Sequence, residues 1–139
     1  MTPQNQKNPR PPGVVILTGY TLFLVLWNII RMGNAIFFWD SLKNYGSFPV
    51  YISISGGIWC AAGLLISGGL WKGIPVVWNI SYFASAGYFL WYWIDRLFIE
   101  NPNQNWLFVV FLSSIIFIIY IFILSSRKTR TYFQIGINK

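Results

Sequence analysis

An acid and a base stand side by side at the end of a long uncharged stretch. From Pro75 to Ile94 the chain reads PVVWNISYFASAGYFLWYWI, and Asp95 and Arg96 follow directly. A second isolated base, Arg31, interrupts the first apolar segment. Asp95 and Glu100 are the only two carboxylates close in sequence, and two carboxylates with one of them in a turn do not make a general acid–base site. The serines and the single cysteine, Cys60, have no histidine to activate them, because the chain contains none. The same deficit removes any metal-ligand spacing. What remains is an ion pair. A charge in an apolar medium is costly alone and much less so when matched, so Arg31 and Asp95 are expected to find each other. The residues thus predict a non-enzymatic protein with no metal and no cofactor of its own chemistry.

The elements that must position these groups follow from composition. Hydrophobic residues make up 55% of the 139 and charged residues 9%, against about a quarter charged in soluble domains. Lipid is the solvent that suits such a chain. Four apolar segments, at about 14–33, 50–70, 75–95 and 106–124, each approach the roughly 20 residues that cross a bilayer core as a helix. The expected fold is all-α: a polytopic membrane protein whose four transmembrane helices form an antiparallel bundle over residues 13–125. A proline-rich tail, 1–12, precedes it and a basic tail, 126–139, follows it. A polar loop is expected at 40–48. The run Gly68, Gly69, Trp71, Lys72, Gly73, Pro75 marks a tight turn between the second and third spans, and 100–105 marks another around Pro102.

Charge distribution sets the orientation. An even number of spans puts both tails on one side, together with Lys7, Arg10, Lys72, Arg127, Lys128, Arg130 and Lys139. All three acids, Asp40, Asp95 and Glu100, fall on the other. The positive-inside rule then places both termini in the cytoplasm of a cell whose inner membrane holds the protein. The net charge of +7 is accounted for in this way, and no arginine-rich polar segment points to nucleic acid. Trp39, Tyr51, Trp93 and Trp106 at one boundary, and Trp71 and Trp78 at the other, form an aromatic belt.

Helical spacing gives two candidate surfaces. Leu17, Tyr20, Leu24, Trp27, Arg31 and Asn34 share a face of the first span, and Ser81, Ala84, Tyr88, Trp91 and Asp95 share a face of the third. Counted from the inner ends, Arg31 and Asp95 differ in depth by about 3 Å. Tyr20, Trp27, Tyr88 and Trp91 are therefore candidate lining residues for a bound lipid, quinone or pigment, beside an Arg31–Asp95 pair that can equally be purely structural. Ser53, Gly57 and Ala61, at four-residue intervals on the second span, are the candidate helix-packing stripe. The leading functional expectation is an accessory or scaffolding subunit that packs in the bilayer against other membrane protein subunits or a second copy of itself. The alternative is a small carrier or binding protein for a lipid-soluble ligand held between the first and third spans.

Three short runs, Arg10-Pro11-Pro12-Gly13-Val14, Gly69-Leu70-Trp71-Lys72-Gly73 and Trp93-Ile94-Asp95-Arg96-Leu97, resemble features of a group of uncharacterised small four-span bacterial membrane proteins. The resemblance implies a four-helix fold and no known activity, so it assigns no functional residue. The expected topology is checked by thiol labelling in intact cells. A cysteine placed within 126–139 should resist an impermeant reagent while one at Asn103 reacts, and the opposite pattern would reverse the orientation.

Overall fold

The computed structural model describes residues 10–44, 48–98 and 106–134. Six helices follow in order: α1 (Pro12–Phe37), α2 (Trp39–Asn44), α3 (Pro49–Lys72), α4 (Pro75–Phe98), α5 (Trp106–Ser125) and α6 (Arg127–Gln134), with no strand among the described residues. Three of them, α1, α3 and α5 from Leu107, are long and apolar enough to cross a membrane. The chain is therefore all-helical and has the helices of a membrane protein. α4 is as long as α3, but its Trp, Tyr, Ser and Asn content makes it much less hydropathic than its length suggests. The expected turn at 100–105 and the basic residues Lys7 and Lys139 lie outside the described residues, as does Gly46.

Proline starts three of these helices. Pro12, Pro49 and Pro75 each stand at the first helical position, where the missing N–H costs nothing and the fixed φ is already helical. α3 ends on a glycine. Gly73 takes φ 71°, its N–H bonds to the Leu70 carbonyl at 3.2 Å, and the Ile74 N–H reaches the Gly69 carbonyl at 3.0 Å. These are the two bonds of a Schellman cap, which uses the left-handed conformation that glycine adopts without penalty. Only Gly73 and Ile74 separate α3 from α4, and the two helices then lie side by side. Gly69 meets Val77 near the turn, and Trp59 meets Gly87 and Tyr88 farther away.

Two short helices replace expected irregular segments. Trp39–Asn44 is helical where a polar loop is expected at 40–48. Asp40 stands in its first turn and Lys43 in its last, so each complements the helix dipole. The basic tail begins with α6, whose Thr129 and Phe133, one turn apart, are both buried while Arg127, Lys128 and Arg130 point out. As far as Gln134 the tail is thus a folded amphipathic helix.

The core gathers at the end where α6 sits. Val14, Leu17, Leu70, Tyr120, Leu124 and Phe133 form one buried cluster drawn from α1, α3, α5 and α6. Aromatic side chains tie this end with hydrogen bonds: Trp78 Nε1 donates to the Leu124 carbonyl (3.0 Å), Tyr82 Oη meets Ser125 Oγ (2.8 Å), and Tyr132 Oη donates to the Trp71 carbonyl (3.3 Å). Arg10 stacks on Trp71, 3.9 Å from the ring centre. The basic residues Arg10, Lys72, Arg127, Lys128 and Arg130 therefore share one end of the molecule.

α1 and α3 make the largest interface, and its close approach is set by glycines other than the expected one. A Cβ on Gly56 would stand 3.2 Å from the Asn28 carbonyl oxygen and 3.3 Å from Met32 Cβ, and one on Gly63 would stand 2.5 Å from Val25 Cγ2. Gly57 has only Met32 Sδ, at 3.9 Å, for a neighbour. Ser53 is half-buried and Ala61 is exposed. Within this chain the stripe Ser53, Gly57, Ala61 is thus not the contact. The four-residue repeat lies to one side of the face that meets α1, which is carried by Gly56 and Gly63, seven residues and two turns apart. Gly56→Leu and Gly63→Leu should each lower stability in detergent by about 1–3 kcal/mol. Ala61→Leu should change it by no more than about 0.5 kcal/mol. Thermal unfolding of the three variants decides the matter; equal melting would place the contact elsewhere.

Candidate functional site

Above the core cluster the helices part. A cavity of about 430 Å³ opens between α1, α3, α4 and α5. Small residues make the room: Ala62 and Gly63 on α3, and Ser81, Ala84 and Ser85 on α4. Large apolar and aromatic side chains make the walls, among them Trp59, Tyr88 and Phe117. Its rim is apolar and exposed on one side. Phe23 and Trp27 of α1 and Leu112 of α5 all line it and are 60%, 53% and 45% accessible. In a bilayer that side faces acyl chains, so the opening is lateral.

A second cavity of about 270 Å³ adjoins the first and shares Trp27, Tyr88 and Tyr92 with it. It contains the charged groups. Arg31 Nη2 and Asp95 Oδ2 form an ion pair, with both side chains largely buried. The Arg31 guanidinium also lies 5.0 Å from the centre of the Trp91 ring, which adds a cation–π attraction in a dry setting. Trp91 in turn donates from Nε1 to Tyr51 Oη at 2.9 Å and packs against Trp59 and Tyr88. α1, α3 and α4 therefore meet in one aromatic and ionic knot at this end. Arg96, Asp95's neighbour in sequence, turns elsewhere and donates to Tyr92 Oη at 3.2 Å. Its expected partner Glu100 lies outside the described residues.

Of the four candidate lining residues, Tyr20, Trp27 and Tyr88 line the larger cavity. Trp91 lines neither cavity and forms the wall behind the ion pair. The Arg31–Asp95 pair does not close the larger space, which instead extends toward α5, a helix that pairing of the first and third spans leaves out. The residue missed by the sequence reading is Asn28. It is 1% accessible and lines the larger cavity. Its Nδ2 donates to the Leu24 carbonyl (2.8 Å) and to Tyr88 Oη (3.4 Å), while its Oδ1 has no hydrogen-bond partner among the described residues. Two signals were available. Asn28 is an uncharged amide deep in an apolar helix, and Trp59 sits mid-helix, away from the boundaries where an aromatic belt places tryptophan.

The larger cavity is concave and mostly apolar, with Asn28 and Tyr88 among the polar residues of its lining. Among the described residues no cluster of His, Cys, Asp or Glu could hold a metal. The described residues are helical, with three helices long and apolar enough to cross a membrane and a cavity open on one side. No family model, curated protein sequence or solved structure matches the chain, so the resemblance noted above rests on its three short motifs alone.

The ion pair can be tested by a double-mutant cycle. Removing one partner of a buried pair leaves an unmatched charge, at a typical loss of about 3–5 kcal/mol. Asp95→Ala and Arg31→Ala should each destabilise the detergent-solubilised protein more than Arg96→Ala, and the double variant Arg31→Ala/Asp95→Ala should recover part of the loss. Strictly additive losses in thermal unfolding would show that the two charges are not coupled.

Proposed function

We propose that this chain is a four-span inner-membrane protein that binds a lipid-soluble amphiphile in the cavity between α1, α3, α4 and α5. The observation that carries the reading is the cavity of about 430 Å³, with apolar walls, a buried amide and an exposed apolar rim. Small-molecule sites combine these features: concave, mostly apolar, with a few placed polar groups. Close-packed side chains at this position would have left no room for a ligand.

In this reading α4 is the third of four spans in an antiparallel bundle. It carries no charge before Asp95; Ser81 and Asp95 are buried and Tyr88 lines the cavity, while Asn79 is exposed one turn from the start of the helix. The shared basic end, with Arg10, Lys72, Arg127, Lys128 and Arg130, then lies in the cytoplasm by the positive-inside rule. α6 rests at the headgroup level with its basic face toward anionic lipid.

The accessory-subunit reading draws on the outward face of α5, where Phe108, Phe111, Ile118 and Phe122 are exposed. Acyl chains suit that face as well as a partner helix does, so the cavity reading stands first. One experiment separates them. After mild detergent extraction, native mass spectrometry should show the chain carrying a lipid-sized mass, which Ala84→Trp removes by filling the cavity. A second polypeptide, retained in Ala84→Trp with no small molecule in either sample, would favour the subunit reading.

A further inference from the structure

Arg96 is the cation of the smaller cavity that the ion pair leaves over. Arg31 and Asp95 answer each other there, and Asp95 presents nothing further: Oδ2 takes Arg31 and Oδ1 is fully buried. Arg96 lines the same space. Its Nη1 donates to a neutral phenol, Tyr92 Oη, at 3.2 Å, and it forms no ion pair among the described residues. Nε is buried, but Nη2 is neither buried nor hydrogen-bonded among the described residues. A guanidinium has five N–H donors, so Nη2 keeps two for an acceptor that can reach it. Asn34 of α1 lines the cavity too, exposed and with its side-chain amide in no hydrogen bond among the described residues. From α2 only Leu42 lines the space, so Asp40 and Lys43 stand outside it.

Depth narrows what that acceptor is. Arg96 stands about 32 Å along α4 from Pro75, close to the hydrocarbon thickness of about 30 Å. It therefore reaches headgroup level at the end opposite the basic cluster. Trp27, Tyr88 and Tyr92 line both cavities, so the two spaces meet at the side chain that holds Arg96. We infer, on the reading of the larger cavity as a binding site, that its ligand is an anionic amphiphile. A singly charged oxyanion head, carboxylate or phosphodiester, sits in the smaller cavity against Arg96 Nη2 and the Asn34 amide, and its hydrocarbon chain passes Tyr92 and Trp27 into the larger one. A guanidinium at the edge of an apolar medium gains most from an oxyanion, because both members of the bond are charged. A neutral head leaves Arg96 without a counter-ion, and a cationic head would share the space with two arginines.

The test uses the full chain in zwitterionic lipid nanodiscs at alkaline pH and two fluorescent C18 conjugated tetraenes: the acid, which is then ionised, and its methyl ester. Binding is read as polyene emission sensitised by tryptophan, since Trp27 lines both cavities. The acid should bind about tenfold or more tightly than the ester, the scale of a hydrogen bond between charged groups. Arg96→Gln should bring the acid down to the ester's affinity and leave the ester unchanged, and Arg96→Lys should keep part of the preference. Asn34→Leu should reduce the same preference and serves if Arg96→Gln does not fold. Millimolar inorganic phosphate should not displace the acid; displacement would give the head site to a free anion and overturn the lipid source. Equal affinity for acid and ester in the parent overturns the headgroup assignment while leaving the binding-site reading intact, and a preference that survives Arg96→Gln does the same. An acid preference that persists in Ala84→Phe, which fills the larger cavity without adding an indole, puts the anion outside the joined cavities and overturns the proposal. Emission no greater than in Ala84→Phe for both probes overturns the binding-site reading, and the assignment falls with it.

Discussion

The approach of α3 to α1 at Gly56 and Gly63 is the contact on which the rest of the structure is built. A Cβ at Gly56 would crowd the Asn28 carbonyl and one at Gly63 would run into the Val25 side chain, so the absence of a side chain at both positions lets the two backbones come this close. In lipid there is little hydrophobic gain from bringing two apolar helices together, and tight packing is what remains to hold them. With α3 drawn onto one side of α1, the short Schellman turn places α4 beside α3. α4 then stands at a distance from α1 that only large side chains bridge. Tyr88 and Asp95 do this by reaching Asn28 and Arg31. The cavity is a consequence of this unequal spacing: one pair of helices is in backbone contact, and the others are held apart by aromatic rings.

Polar groups within the helices are handled in two ways. Thr21, Ser67 and Ser81 bond back to carbonyls three or four residues earlier in their own helices, which satisfies the hydroxyl without help from another element. Asn28, Arg31, Trp91 and Asp95 reach across to other helices. The first group is compatible with any neighbour. The second group fixes which faces meet, and all of it lies at or beyond the depth of the larger cavity, toward the end opposite α6. One end of the molecule is therefore a dry apolar core tied by Trp78, Tyr82 and Tyr132, and the other is a polar and aromatic network.

Much of this was legible in the residues, and what was not has physical reasons. Uncharged length and proline starts mark the long helices, and Gly73 with Pro75 marks the tight turn. Equal depth and opposite sign single out Arg31 and Asp95. The stripe Ser53, Gly57, Ala61 is not the face that meets α1, because α3 carries small residues on several faces and sequence spacing alone does not say which of them meets α1; Gly57 lies next to Gly56 yet meets little within the chain. α6 was read as a tail because its charge dominates its composition, although Thr129 and Phe133 lie one helical turn apart. α2 is short enough that the dipole-matched pair Asp40 and Lys43 decides its state, and such local effects are small beside a nearby Gly46 and Pro49. Trp91 shares a helical face with cavity residues, but the indole bonds sideways to Tyr51, a tertiary partner that periodicity does not reveal.

The hydrogen bonds from α4 to α5 bear on how that helix is held. Two of them, from Trp78 to the Leu124 carbonyl and between Tyr82 and Ser125, grip its last turn, where α6 also begins. Farther along, α5 meets α4 through the stacked rings of Phe89 and Phe117, a contact that slides more easily than a hydrogen bond breaks. Among the described residues, α5 is thus held by hydrogen bonds at one end and by ring packing farther along. Leu112 stands about 18 Å along the helix from Leu124, beyond the reach of those two bonds. The exposed rim at Phe23, Trp27 and Leu112 therefore stands away from the hydrogen-bonded end of α5, where its lining is held by ring and aliphatic contacts alone.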